Sequence, residues 1–164
     1  LPLSPFSLEY IAKGFNFDLT LIDAAGIINH LMPYRIMNKI AYALNRRKKA
    51  MNGSKILFLG VSYKPDIDDT RESPALLVME QVARKGAIVS YHDPYVPETF
   101  DEHGRLWKGV DLSDETIRSA DCVVFTTNHS CFDVPHIVET ADLVVDTRNS
   151  VKSVRIENGK VFKL

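Results

Sequence analysis

The sequence predicts an α/β protein: a Rossmann-like parallel sheet with helices on both faces, preceded by one long helix. Three observations carry that expectation. Short apolar runs at 55–61, 87–92, 122–126 and 143–146 alternate with helical stretches, the order that builds a parallel sheet covered on both sides. Ile22, Ala25, Ile28, Met32, Ile36, Ile40 and Leu44 recur at helical spacing through residues 20–47. Gly60 ends the first apolar run where the backbone must turn, and Ser73-Pro74 then opens a helix, Ser73 as its cap and Pro74 pre-set at its first position.

Along the chain, a short helix is expected from Phe6 to Gly14, then the long helix from Thr20 to Arg47. Pro33 should kink or interrupt it, because proline removes an amide donor and crowds the preceding turn. The basic run Arg46-Arg47-Lys48-Lys49 suits the negative end of the helix dipole and reads as a solvated helix end, with a phosphate or nucleic-acid patch as the sharper alternative. Asn52-Gly53 marks a turn and the boundary between two regions, 1–50 and 53–164. Helices are expected at 74–85, near 113–119 and near 134–139, with Gly86 stopping the first of them. Residues 94–112, rich in Pro, Asp and Gly, form the longest loop, and the alternating runs around Asn158-Gly159 (Val154 to Phe162) predict a terminal hairpin.

A chain of 164 residues, 45% hydrophobic and 25% charged, supports one substantial core and a helical extension rather than two full α/β domains. Its 20 basic and 21 acidic residues leave a formal charge of −1, which gives no case for nucleic acid or an anionic membrane surface as partner. No apolar stretch approaches a membrane span and no signal peptide is visible. Two cysteines, Cys122 and Cys131, make no disulfide framework, so a cytoplasmic location is expected. The chain opens Leu1-Pro2-Leu3 with no initiator Met, so a processed chain or a piece of a longer one is expected.

The residues with chemistry gather after the strands. Lys64 and Arg71 lie in the charged loop at the carboxyl end of strand 55–61, where open α/β sheets bind ligands, and a cationic loop there is a phosphate clamp. The bland alternative is a solvated charged turn. The dinucleotide fingerprint Gly-x-Gly-x-x-Gly is missing, since Val61, Ser62 and Tyr63 follow Gly60. A side chain must therefore reach the diphosphate, which makes Lys64 its natural partner. Arg148, in Asp146-Thr147-Arg148-Asn149 after the last sheet strand, offers planar bidentate contacts to an oxyanion, with a surface Arg as the alternative. His129 reads as a hydrogen-bonder that fixes its loop rather than a base. His30, His92, His103 and His136 share no metal-site spacing, and Asp66, Asp68 and Asp69 lack the Gly and Glu of a calcium loop. Asp69 and Glu72 are expected to neutralise Arg71 or the helix start, and no metal site is expected.

Gly60, Tyr63, Lys64, Asp66, Asp69, Arg71, Glu72 and Ser73 together resemble the signature of the UDP-glucose/GDP-mannose dehydrogenase family, the NAD-dependent nucleotide-sugar 6-dehydrogenases. Thr126, His129 and Phe132, Asp146-x-Arg148, and Ala24-Ala25-Gly26-Ile27-Ile28-Asn29 with Met32-Pro33 extend the resemblance over essentially the whole chain. It implies a Rossmann-like carboxy-terminal domain in which Tyr63 and Lys64 contact the UDP part of a UDP-sugar and Arg148 helps hold it. Arg71 is implied to reach toward NAD, bound mainly by an amino-terminal domain, while the central helix is implied to build a homodimer that buries the apolar face of 22–44. The form Arg71-Glu72-Ser73-Pro74-Ala75-Leu76 leans toward members acting on UDP-N-acetylhexosamines.

The family's catalytic loop reads Gly-Gly-x-Cys-(Ile/Leu)-Pro-x-Asp-Pro, and Leu1-Pro2-Leu3-Ser4-Pro5 lines up from the residue after the cysteine. The nucleophile, which carries the covalent adduct of the second C6 oxidation, would precede Leu1; Cys122 and Cys131 do not share its context. Ser4 stands where the pattern has Asp, and a hydroxyl cannot act as a carboxylate base. No catalytic residue is therefore assigned within the chain, and the chain alone is expected to be inert. The rival reading is a non-catalytic nucleotide-sugar sensor or dimerisation module.

Overall fold

The computed structural model describes residues 7, 10–12, 14–15, 19–152, 154 and 159–164. Residues 7, 10–12 and 14 of the expected first helix are helical, while Ser4 and the rest of that segment lie outside the described residues. In chain order the elements are α1 (Thr20–Arg46), β1 (Lys55–Leu59), α2 (Pro74–Arg84), β2 (Ile88–His92), β3 (Glu98–Phe100), β4 (Leu106–Lys108), α3 (Asp114–Ser119), β5 (Cys122–Phe125), α4 (Val134–Thr140), β6 (Val144–Asp146) and β7 (Val161–Lys163).

Side-chain alternation in the strands decides how the main sheet is covered. Ile56 and Phe58 of β1, Cys122 and Val124 of β5 and Val145 of β6 point to one face, where α2 and the second half of α1 pack. Leu57, Leu59, Val123, Phe125 and Val144 point to the other, against α3 and α4. Both faces are apolar, so the strands read as continuous hydrophobic runs. The five strands lie in the order β2-β1-β5-β6-β7, every pairing parallel. Side chains of Ser73, Ser113 and Asp133 cap the three short helices by accepting from Ala75 N, Thr116 N and His136 N at 3.3, 3.1 and 3.1 Å.

Four expectations need correction. Helix α1 is not interrupted at the buried Pro33. Proline costs a helix interior about 3 kcal/mol, but Ile36, Ile40, Ala43 and Leu44 beyond it are buried on the sheet, and each large aliphatic so buried contributes roughly 1.5–3 kcal/mol. The same burial means that the apolar face of 22–44 is not one seam for a partner chain. Its second half is core, whereas Leu21 and Ile27 in the first half are 86% and 63% exposed. The basic run is not merely solvated: Arg47 donates to the carbonyls of Asp142 and Gly159 at 3.3 and 3.2 Å, and Lys49 pairs with Asp121 at 2.5 Å.

The longest loop contains an antiparallel ribbon, β3 with β4, around the buried Asp101, whose carboxylate accepts from the amides of His103 and Arg105 and from Trp107 Nε1. The expected terminal hairpin falls partly outside the described residues. Strand β7 joins the main sheet parallel to β6, and residues 155–158, which would form the other arm, lie outside the described residues.

Candidate functional site

Register aligns the strand ends. Leu59 pairs with Phe125, Phe125 with Asp146, and Asp146 with Lys163, so four parallel strands finish in one row. Among the main-sheet strands the order is 2-1-3-4-5, and the chain changes direction of travel between β1 and β5, the switch point at which open α/β sheets hold ligands. The loops that follow β1, β5 and β6 rise from this row. At its switch point Gly60 has φ +82°, and a Cβ there would lie 2.5 Å from both Cβ and O of Thr127. Only glycine allows that turn and that approach. Thr127 Oγ1 donates to Ser62 O at 2.7 Å and Thr126 Oγ1 to Gly60 O at 2.6 Å, stitching the two loops together.

His129 is the hub beneath them. Its side chain is buried, and its Nδ1 accepts from the Asp66 amide at 2.9 Å. An acceptor Nδ1 places the imidazole proton on Nε2, which donates to Asp93 Oδ2 at 2.9 Å and lies 3.3 Å from Ser62 Oγ. With that lone pair engaged, His129 fixes loops, as its position in the sequence indicated, and is not a free base. Asp66 and its neighbours are similarly committed. Asp66 Oδ1 accepts from the Ser130 amide at 2.9 Å, a bond that holds this carboxyl below the usual carboxylate range.

Asp93 was not singled out in the sequence. Its carboxylate takes the amides of Val61, Ser62 and Tyr95 at 2.7, 3.1 and 2.9 Å, besides His129. An acid at the end of the second strand is the residue a dinucleotide fold offers to a ribose; here it is buried and fully used by the protein. Asp146 is a second such hub, accepting from the amides of Arg148, Ser150 and Val151 at 3.0, 3.0 and 3.1 Å. In both cases the signal available was an acid directly after an apolar strand run.

The sequence-predicted binders stand on this frame. Lys64 is exposed, its Nζ 5.3 Å from the half-buried Tyr63 ring, and the loop is closed by Tyr63 N donating to Asp69 O at 2.7 Å. Arg71 is folded back on Asp69, Nε to Oδ1 at 2.9 Å and a second bond of 2.8 Å, and this pairing pushes the Asp69 carboxyl down to about 2. Arg148 is exposed two residues past the end of β6 and lines a cavity of about 410 Å³ with Asp146, Thr147, Asn149, Lys163 and Leu164. Among the described residues, neither Lys64 nor Arg148 has a carboxylate within ion-pair distance. Asp66, Glu72 and Asn149, all in these loops, hold left-handed φ values of +63°, +56° and +56°.

Cys122 is buried in β5, and burial pushes its thiol up to about 12, which removes it as a nucleophile at neutral pH. Cys131 is exposed beside a smaller cavity that His92, Asp114 and His136 also line. Among the described residues no His, Cys, Asp or Glu cluster is arranged to hold a metal ion, and no helix is long and apolar enough to cross a membrane.

Comparison with known proteins places this geometry. The family model described as UDP-glucose/GDP-mannose dehydrogenase family, UDP binding domain, matches residues 57–153. The chain is 30% identical over 99% of its length to UDP-N-acetyl-D-mannosamine dehydrogenase of Pyrococcus horikoshii, and 29% identical over 96% to UDP-glucose 6-dehydrogenase of Rickettsia bellii. It spans 37% of the length of each of these relatives. The solved UDP-D-ManNAc dehydrogenase structure from P. horikoshii superposes with a TM-score of 0.79 at 27% identity, over 99% of this chain and 37% of that one. An NDP-N-acetyl-D-galactosaminuronic acid dehydrogenase structure from Methanosarcina mazei Go1 matches with a TM-score of 0.75 at 25% identity, over 97% of this chain and 35% of that one. By motif, fold and matched domain, the chain belongs to the UDP-glucose/GDP-mannose dehydrogenase family.

Proposed function

We propose that this chain is the substrate-binding portion of an NAD-dependent nucleotide-sugar 6-dehydrogenase, a cytoplasmic enzyme that oxidises the C6 alcohol of a UDP-sugar to a carboxylate. Residues 1–50 supply the end of the catalytic loop and the central helix, and 53–164 the UDP-sugar-binding domain. Tyr63 and Lys64 hold the UDP part from the β1 loop, and Arg148 holds it from the β6 loop. The observation that carries this reading is the shared row of strand ends with two cations, Lys64 and Arg148, that no carboxylate neutralises among the described residues. Their parent strands are two places apart in the sheet, roughly 10 Å at ordinary strand spacing.

NAD, carried mainly by the remainder of the parent enzyme, accepts the hydride from C6. Arg71 faces that cofactor once it leaves Asp69, whose exposed ion pair is a weak hold. The Arg71-Glu72-Ser73 form of the loop and the likeness to relatives named for UDP-N-acetyl-D-mannosamine favour a UDP-N-acetylhexosamine as the sugar. Self-association through the exposed first half of α1 completes the reading.

Calorimetric titration with UDP tests it. Lys64→Ala and Arg148→Ala should each weaken binding by roughly tenfold, the scale of one charge-assisted hydrogen bond in a partly wet site. Equal affinity in both variants and the unaltered chain would remove the site.

A further inference from the structure

We propose that Lys163 is a third cation of the nucleotide cleft, besides Lys64 and Arg148, and binds the same diphosphate as Arg148. This rests on the function proposed above and adds a residue to its site. Three observations place Lys163 there. Strand β7 joins the sheet parallel to β6 with Lys163 opposite Asp146, so its side chain leaves the same edge as the Arg148 loop. Lys163 and Arg148 line one cavity of about 410 Å³, which is enough room for a small polyphosphate. Lys163 Nζ donates to Asn149 Oδ1 at 3.2 Å, so the residue next to Arg148 in sequence holds the ammonium.

The charges in that cavity favour an anion. Its one side-chain carboxylate, Asp146, has both oxygens occupied by backbone amides, and no ion pair among the described residues engages Lys163 or Arg148. The two cations also divide the work. A guanidinium presents a planar fork to one phosphate face, whereas an ammonium is a compact point charge that follows the other oxygens. The Lys163 side chain is exposed, and its only described side-chain bond is a surface contact to an amide oxygen.

The test is calorimetry of the full 164-residue chain with UDP and with uridine, comparing Lys163→Ala, Lys163→Arg and Arg148→Ala. Lys163→Ala is expected to weaken UDP roughly tenfold, to leave uridine unchanged and to melt like the unaltered chain; Lys163→Arg should retain most of the UDP affinity. A Lys163→Ala variant that binds UDP as the unaltered chain does, while Arg148→Ala loses affinity, overturns the role of Lys163 and leaves the proposed function standing. UDP affinity insensitive to Arg148 and Lys64 as well, or no binding by the unaltered chain, overturns the functional reading and this inference with it.

Discussion

The bonds around His129 show what single residues contribute. One imidazole ties its own loop to two distant segments: it receives the Asp66 amide and stands beside Ser62 in the β1 loop, and it donates to Asp93 after β2. Removing it in His129→Ala strands the part-buried Asp66 amide and leaves the buried Asp93 carboxylate short of a donor. Leaving such groups unsatisfied costs about 1–3 kcal/mol each, so the variant should lose about 2–4 kcal/mol, read as a lower urea midpoint at unchanged slope. His129 was legible because a lone histidine in a strand-end loop has few other uses, but Asp93 was not, since nothing in sequence links it to a residue 36 positions away.

His136 offers the matching test on the surface. The Asp114 carboxylate, 2.7 Å from its Nε2, raises the imidazole above its ordinary 6.5, and the same bond lowers Asp114 below 3.8. The folded protein thus holds the imidazole proton more tightly than the unfolded chain does. The bridge's contribution is complete below 6.5 and disappears as pH climbs through the raised value; on the acid side it fades as pH drops through the depressed Asp114 value. The melting-temperature gap between the unaltered chain and His136→Gln should be widest near pH 5 and close by about pH 9. A gap that does not change with pH would mean that the charge of His136 is irrelevant.

Among the elements, α1 divides into a buried half and an exposed half that its sequence shows as one stripe. Period alone tells that Ile22 through Leu44 share a face; it does not tell how far the sheet beneath extends, and the sheet covers only the second half. Ile40 is fully buried, so Ile40→Glu should destabilise the fold by at least about 3 kcal/mol through an unpaired buried acid. Ile27, largely exposed, should accept Glu without loss of folding stability. If the first half of α1 is the contact between copies, sedimentation of Ile27→Glu will show a lighter species than the unaltered chain at equal concentration. A similar limit hid the ribbon: β3 and β4 are three residues each, too short for alternation to register against the turn residues around them.

At the scale of the whole molecule, the alternation of strands and helices was readable because a parallel sheet buried on both faces demands uninterrupted apolar runs, and 122–125 or 144–146 have no other explanation. Cations at two strand ends were readable for the same reason, being placed by the strands. The alignment of the ends was not, because it depends on register and on β7 arriving parallel from the far side of an irregular segment. The left-handed residues of the edge loops have a consequence for binding. Asp66, Glu72 and Asn149 accept a costly backbone shape during folding, held there by hydrogen bonds from backbone amides to Asp146 and His129 and by the Arg71–Asp69 fork. A loop already bent to its final course has little freedom left to surrender when a ligand arrives. On the proposed function, encounter with the nucleotide is a one-step docking onto that rim, and differences in affinity among related ligands are written in how long each stays.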